Sequence, residues 1–214
     1  MDTLGIIKES KLIAIARGLY GSKLIEASLA LYRGGVRAFE VTFEQDKSIG
    51  ITTDAISRLT ENLPADAVIG AGTVLSRSQV DEARNAGARF IISPNTDKAV
   101  IELTKQSGMV SIPGAMTPTE IVNAHTYGAD IVKLFPAGVL GLEYFKAVRA
   151  PLAHIPLAAV AGITINNIRD FYNAGAVAFG ISSTLYNKKS IAESDYNALI
   201  KTAQRFYEVL NLHW

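Results

Sequence analysis

Eight short segments rich in β-branched and aromatic residues recur along the 214-residue chain, and a turn and an amphipathic segment follow each of them. They lack regular polar alternation, which is typical of strands that are covered on both faces. The segments span residues 12–16, 38–43, 67–74, 90–95, 110–115, 131–137, 156–162 and 178–183. Strands that alternate with helices through short connections predict a parallel sheet.

Glycines mark the predicted helix ends. Just before four of the strand segments stands a glycine of the kind that stops a helix in the left-handed conformation: Gly35, Gly87, Gly128 and Gly175. Helix starts are predicted at Thr117-Pro118 and at Thr164, because threonine and proline are favoured there.

The number of repeated units selects the architecture. Eight strand–helix units in about 200 residues match a compact (β/α)8 barrel. The alternative is a doubly wound open sheet, which usually has fewer strands and a Gly-rich first turn. Here the first strand segment ends Ala16-Arg17-Gly18, with no G-x-G-x-x-G after it. We therefore predict one α/β domain over residues 1–214, a (β/α)8 TIM barrel with a short N-terminal helix.

Composition and charge narrow the class of protein. The chain is 49% hydrophobic, carries a formal net charge of +1 and contains no cysteine. This composition excludes disorder, disulfide scaffolds and thiol catalysis, and it gives no electrostatic reason to expect nucleic acid or membrane as partners. We expect no signal peptide, because Met1 to Ser10 holds charges and no apolar block. The expected location is the cytoplasm.

One long uncharged stretch, between Arg149 and Arg169, approaches the length of a membrane span. It contains two prolines, a glycine, a histidine and two asparagines, which suit turns around a strand better than a membrane helix. We interpret it as a strand with its flanking turns.

Two charged residues lie inside predicted strands, where charges are unexpected. Lys133 is the one lysine of eleven within a strand segment, and Glu40 is the one acid of twenty well inside another. One interpretation is a buried structural ion pair. The other is Schiff-base chemistry, since burial lowers the pKa of a lysine and so prepares its amine to attack a carbonyl. A nearby carboxylate would then transfer the protons.

Metal and serine chemistry have weaker support in the sequence. The three histidines, His125, His154 and His213, are far apart, and none belongs to a pair with metal-ligand spacing. There is also no G-x-S-x-G motif of a serine nucleophile. We therefore predict no metal, with a carboxylate metal site as the less favoured alternative. We also predict no organic cofactor, because an imine-forming lysine is itself the electrophilic catalyst.

The sequence around Lys133 resembles a known family. VKLFPA at 132–137 is similar to the Schiff-base strand of the small class I aldolases that cleave 2-keto-3-deoxy-phospho sugar acids, and IGAGTVL at 69–75 is the second specific match. Weaker matches in register are LIAIARG at 12–18, EVT at 40–42, ISPN at 92–95, IPGAMTP at 112–118 and NAGA at 173–176. The family includes phosphogluconate (KDPG), phosphogalactonate and hydroxyoxoglutarate (KHG) enzymes.

The resemblance implies a role for each matching residue. Lys133 would form the imine and Glu40 would act as general acid and base. Thr73 would contact the carboxylate of the keto acid, and Arg17 would bind an anionic group. The remaining implied contacts are Pro94 and Phe135 in the pocket, and Val160, Gly162, Ser182 and Ser183 around the phosphate. The resemblance also implies a homotrimer.

Three departures from the family pattern bear on the substrate. Glu44 stands where the phosphogluconate enzymes commonly carry an arginine near the carboxylate site, so Arg17 is the candidate replacement. Ala161 and Ser182 stand at glycine positions of the two phosphate loops, and Val160 replaces threonine as in the galactonate branch. The expected reaction is cleavage of 2-dehydro-3-deoxy-6-phosphogluconate to pyruvate and glyceraldehyde 3-phosphate. The alternatives are the phosphogalactonate or hydroxyoxoglutarate reaction, and a barrel that binds keto acids without catalysis.

Overall fold

The structure, a computed structural model, describes residues 2–211. Within these residues the strands are β1 Leu12–Ala16, β2 Ala38–Thr42, β3 Val68–Gly72, β4 Phe90–Ile92, β5 Val110–Ile112, β6 Gly114–Ala115, β7 Val132–Leu134, β8 Leu157–Val160 and β9 Ala178–Ile181. The helices are α1 Thr3–Ser10, α2 Gly21–Arg33, α3 Ile49–Asn62, α4 Arg77–Asn85, α5 Lys98–Gln106, α6 Pro118–Thr126, α7 Ala137–Leu140, α8 Leu142–Arg149, α9 Ile168–Asn173, α10 Lys188–Ala192 and α11 Tyr196–Leu210.

The strands form a nearly closed barrel in which every paired strand runs parallel. Their order is β5-β4-β3-β2-β1-β9-β8-β7-β6. The two ends of this order, β5 and β6, are consecutive in the chain and are separated only by Pro113. The backbone N–H of Asp130 donates to the carbonyl of Ser111 at 3.0 Å, which brings the chain before β7 against β5. With its alternating helices, the barrel is consistent with a (β/α)8-like fold.

Each of the eight predicted strand segments contains an observed strand. The segment 110–115 contains two strands, β5 and β6, because Pro113 between them has no N–H to donate to a neighbouring strand. The uncharged stretch after Arg149 forms turns, then β8, then further turns, as interpreted from its prolines and asparagines. In residues 2–211 no helix is both long enough and apolar enough to cross a membrane.

The predicted N-terminal helix is present as α1. Asp2 caps it by accepting from the backbone N–H of Gly5 at 2.7 Å. Its residue Ile7 is fully buried, and Leu4 and Ile6 pack on the same cluster of apolar side chains that fills the barrel interior. A second, larger cluster lies between the strands and the outer helices and includes four residues of α2: Leu24, Ala27, Ala30 and Leu31.

The helix ends follow the glycine prediction, with one error at a helix start. The four predicted stop glycines all have positive φ, between 96° at Gly87 and 106° at Gly128. Thr117 starts α6 with a capping box to Glu120, and Pro118 is the first helical residue. The predicted start at Thr164 is wrong. Residues there form a polar turn in which the N–H of Thr164 donates to Asn167, and α9 begins at Ile168.

Candidate active site

Glu40 and Lys133 face the barrel interior from opposite walls. Glu40 lies on β2 and Lys133 on β7, with three strands, β1, β9 and β8, between them in the sheet order. Each lies two residues after a member of the interior cluster, Ala38 or Ile131, and residues two apart on a strand point to the same face. Among the strands of residues 2–211 these are the only charged residues, so the barrel encloses one amine and one carboxyl group.

The Glu40 carboxyl group is 2% exposed and lies over Gly72 of β3. A Cβ atom at position 72 would be 1.7 Å from Oε1 of Glu40, so this space exists because residue 72 is glycine. Among the described residues, Oε2 of Glu40 has no hydrogen-bond partner. Burial raises the pKa of this carboxyl group, and the charges of Lys133 and Arg17 oppose the rise.

Lys133 as a whole residue is 7% exposed. Its neighbours in the sheet are the small residues Gly114 and Ala158, and its Nζ lies 4.6 Å from the ring centroid of Phe135. Burial lowers the pKa of this amine; the charge of Arg17 adds to the effect and that of Glu40 opposes it. The salt bridges among residues 2–211 do not include a Lys133–Glu40 pair. The interpretation of Glu40 and Lys133 as a buried structural ion pair requires a direct contact between them, and the described residues do not show one.

Arg17 follows β1 directly and lies at the mouth of the barrel. Its side chain is exposed, yet its charge acts on both Glu40 and Lys133. Glu44, the acid at the family's arginine position, approaches Gly18 and forms a salt bridge with Lys47. Arg17 is thus placed beside the carboxyl end of β1, and its role in binding an anionic group stays a prediction.

Thr73, Pro94 and Phe135 all follow the carboxyl end of a strand and are half-buried. Thr73 has a left-handed backbone with φ of 57°, and its carbonyl accepts from Nε2 of Gln45 at 2.9 Å. Phe135 precedes a cis peptide bond to Pro136. In parallel barrels the groups that act on substrate sit at these ends of the strands.

The two predicted phosphate loops differ in the donors that they offer. Val160 at the end of β8 is 5% exposed and packs in the interior, where a Cβ at Gly180 would come within 3.0 Å of it. Ala161 has φ of 71°, a conformation that alanine rarely adopts, and Gly162 packs closely on Gly138. In the second loop the hydroxyl of Ser182 donates to the carbonyl of Ile15 at 3.0 Å, and Ser183 is exposed.

A pocket of about 440 Å³ brings together three of the predicted residues: Arg17, Ser182 and Ser183. It lies between the ends of β1 and β9 and helix α10. Sequence reasoning missed Lys188, which also lines it, because nothing in the sequence links α10 to β1. It also missed Gly72, although a glycine inside a strand is a known sign of close approach by another group.

Two of the three histidines are near each other in space, which their sequence separation did not indicate. The rings of His125 and His154 form an edge-to-face contact with centroids 5.8 Å apart. Both side chains are exposed. No group of three or more His, Cys, Asp or Glu residues within 2–211 is arranged to hold a metal ion. His213 lies outside the described residues.

Comparison with known proteins agrees with this barrel fold. The sequence model of the aldolases described as "KDPG and KHG aldolase" matches residues 4–202. The chain therefore belongs to the KDPG and KHG aldolase family, whose members are carbon–carbon lyases.

The names of two relatives refer to two different substrates. The chain is 38% identical over 179 residues to the probable 2-dehydro-3-deoxy-6-phosphogalactonate aldolase of Rhizobium meliloti (strain 1021), covering 83% of this chain and 82% of the relative. It is 31% identical over 184 residues to the 2-dehydro-3-deoxy-phosphogluconate aldolase of Treponema pallidum (strain Nichols), covering 86% and 85%.

Solved structures share the fold. A structure described as native KDPGal superimposes with a TM-score of 0.82 at 31% identity and 94% coverage of both chains. KDPG aldolase from Legionella pneumophila, with pyruvate captured as a covalent carbinolamine intermediate, superimposes with a TM-score of 0.85 at 22% identity, covering 95% of this chain and 97% of that one. At that identity the second likeness concerns the fold alone.

Proposed function

We propose that this aldolase is of class I and works through an imine on Lys133, with Glu40 as general acid and base and no metal or organic cofactor. The observation that carries the proposal is the pair itself: one amine and one carboxyl group, both buried, face each other inside the barrel. The carbinolamine of pyruvate captured in the Legionella pneumophila enzyme is the intermediate that such a lysine would form.

The proposed reaction starts at the C2 ketone of the substrate. The neutral amine of Lys133 adds to C2, and the resulting carbinolamine loses water to give a protonated imine. The C3–C4 bond then breaks: its electrons move to the imine nitrogen to form an enamine, and the C4 hydroxyl gives up its proton as the aldehyde forms. Protonation of the enamine at C3 and addition of water release pyruvate and free Lys133.

Each step needs a proton at a defined place, and Glu40 is the candidate carrier. Burial raises its pKa and so shifts the carboxyl group toward the protonated form, which can donate to the departing hydroxyl group of the carbinolamine. After donation the same carboxylate can accept the proton of the C4 hydroxyl. Oxygen Oε2 of Glu40, which has no partner among the described residues, is the atom available for this transfer.

The remaining predicted residues would bind the two charged ends of the substrate. Thr73 is proposed to hold the carboxylate and Arg17 an anionic group of the substrate, with Pro94 and Phe135 against the carbon chain. Val160 and Gly162 at the first loop, and Ser182 and Ser183 at the second, are proposed to hold the phosphate. Ser182 would do so through its backbone, since its hydroxyl already donates to Ile15.

The substrate is predicted from the sequence to be 2-dehydro-3-deoxy-6-phosphogluconate. A second candidate is its C4 epimer, the phosphogalactonate compound. Val160 stands where the galactonate branch departs from threonine, and the Rhizobium meliloti relative, at 38% identity, carries the galactonate name. A third, 4-hydroxy-2-oxoglutarate, stays open because Ala161 and Ser182 alter the phosphate loops.

A pyruvate-release assay on the three substrates tests the proposal. The phosphogluconate substrate or its C4 epimer is expected to give the highest kcat/KM, with hydroxyoxoglutarate well below both. Release from hydroxyoxoglutarate alone would transfer the function to that substrate. Pyruvate release from none of them would favour the interpretation as a barrel that binds keto acids without catalysis.

We also propose a homotrimer located in the cytoplasm, as expected from the family resemblance and the sequence. Several large apolar side chains are exposed and offer surface for a second copy of the chain: Ile51, Leu75, Met116, Val122 and Val139. Light scattering on the purified protein is expected to give three times the 22.9 kDa chain mass, and a monomer would contradict the proposal.

A further inference from the structure

The pocket of about 440 Å³ at the barrel mouth is positively charged on two sides. Arg17 lines it from the end of β1, and Lys188 lines it from the first turn of α10. Leu19 and Ile191 contribute apolar walls, and no Asp or Glu is among the residues that line it. Apolar walls lower the local dielectric constant and so strengthen the attraction of the two cations for an anion.

Among the described residues, no carboxylate lines this pocket, although one approaches its edge. Glu44, which approaches Gly18 at the edge of the pocket, forms its salt bridge with Lys47 instead. Within the described part of the chain no salt bridge includes Arg17 or Lys188. Two cations that share a cavity without a carboxylate are the usual arrangement for binding an anion.

Helix α10, which carries Lys188, is held in place from the other side. The Nζ atom of Lys23 on α2 donates to the backbone carbonyl of Ile191 at 2.9 Å and to that of Ala192 at 3.3 Å. The next lysine, Lys189, is exposed like Lys188 but does not line the pocket. Lys188 and Lys189 therefore carry the same charge, but only Lys188 lines the pocket.

The loops beside the pocket offer few side-chain donors for an anion. The hydroxyl proton of Ser182 is engaged by Ile15, and Ala161 adds a methyl group in a left-handed turn. The pocket, at about 440 Å³, is larger than a phosphate group needs. A phosphate group that entered it would meet the two cations in addition to the backbone of Ser182 and Ser183.

We propose that Lys188 acts with Arg17 to hold the phosphate end of the substrate in this pocket, which makes Lys188 a specificity-determining residue. The inference rests on the proposed aldolase function and names Arg17 and Lys188 as the cations that bind the phosphate group. A phosphate monoester carries nearly two negative charges at neutral pH, and two cations match that charge. The dephosphorylated acid has no group that needs Lys188.

The test compares Lys188→Ala with Lys189→Ala on the phosphorylated substrate and on the same acid without its phosphate. Losing a charge-assisted hydrogen bond is expected to raise the KM of Lys188→Ala for the phosphorylated substrate by about tenfold or more. The KM for the dephosphorylated acid is expected to stay unchanged. Lys189→Ala should match the wild-type enzyme on both substrates, and Lys188→Arg should retain most of the preference.

Three results would overturn the inference: the same KM for both alanine variants, an equal loss on both substrates, or a wild-type enzyme that does not distinguish the two substrates. A failure of the proposed function would look different. In that case the wild-type protein would release no pyruvate and would form no borohydride-trapped adduct with pyruvate. Lys188→Ala is expected to form this adduct as the wild type does, because pyruvate has no phosphate.

Discussion

Gly72 provides the space that the carboxyl group of Glu40 occupies, since a Cβ atom at residue 72 would lie 1.7 Å from Oε1 and 2.4 Å from Cδ of Glu40. Glu40 extends from β2 over the neighbouring strand β3, so the two residues are packed against each other inside the barrel. The position of the proposed general acid is thus fixed by a residue that has no functional group.

Gly72→Ala is expected to displace the Glu40 carboxyl group and to lower kcat by about 10²-fold or more, the usual contribution of general acid–base catalysis. The matched control is Gly70→Ala on the same strand, where a Cβ would meet the ring of Phe90 at 2.3 Å instead. Both changes overpack the barrel and are expected to cost about 1–3 kcal/mol of stability.

The two variants should lose similar free energy of unfolding, but only Gly72→Ala should lose much of its kcat. Combining it with Glu40→Asp, which shortens the side chain by one methylene, is expected to recover part of the lost turnover. Equal kcat values for the two glycine variants, measured by pyruvate release, would show that Gly72 has no positioning role.

Glu40→Gln is expected to keep the fold and to slow turnover by roughly 10²–10⁴. The amide has nearly the same shape as the carboxyl group but carries no transferable proton. Steady-state kinetics, with circular dichroism as the folding control, measure the effect. Turnover close to that of the wild type would return Glu40 to a structural role.

The buried amine also predicts how stability varies with pH. Burial holds the pKa of Lys133 below its unfolded value of about 10.5, so the unfolded chain binds more protons between the folded pKa and that value. The contribution of Lys133 to the free energy of unfolding therefore rises with pH across this window.

Lys133→Met removes that contribution. The stability of the wild type relative to this variant is expected to increase between neutral pH and pH of about 10, measured by urea unfolding at several pH values. A difference that stays constant with pH would mean that the amine has an ordinary pKa.

Ala161 predicts a stabilising substitution. Its φ of 71° is strained for alanine and free of strain for glycine, so Ala161→Gly is expected to raise the free energy of unfolding by up to about 1 kcal/mol. Ala159→Gly in the same strand segment has no such strain to relieve and is expected to destabilise by about 0.5–1 kcal/mol or more. Equal losses in the two variants would contradict the effect of the left-handed turn.

The sequence predicted the strands well because fully covered strands leave a local trace, a short apolar run between turn residues. Pro113 divides one predicted strand segment into two strands. The division depends on which N–H groups pair with neighbouring strands, and those strands are distant in the chain. At Thr164 the helix-start prediction failed because the chain first forms a turn, in which Asn167 accepts from the N–H of Thr164, and α9 begins after that turn.

The site was predictable in part for a similar reason. Glu40 and Lys133 stand out in the sequence because each is a solitary charge in an apolar run. The effect of Gly72 on Glu40, the contact of His125 with His154 and the approach of Lys188 to Arg17 all join segments that are distant in the chain. Local pattern contains no record of such contacts, and only the barrel closure brings them together.

Trapping with borohydride tests the central claim most directly. Protein incubated with pyruvate and sodium borohydride, then digested and mapped by mass spectrometry, is expected to carry one reduced pyruvate adduct on Lys133. Activity should fall in proportion to the amount of adduct. Treatment of the unmodified enzyme with EDTA should leave its activity unchanged. Lys133→Met should form no adduct. An adduct on another lysine, or activity that EDTA removes and added metal restores, would contradict the assignment of Lys133 as the imine-forming residue.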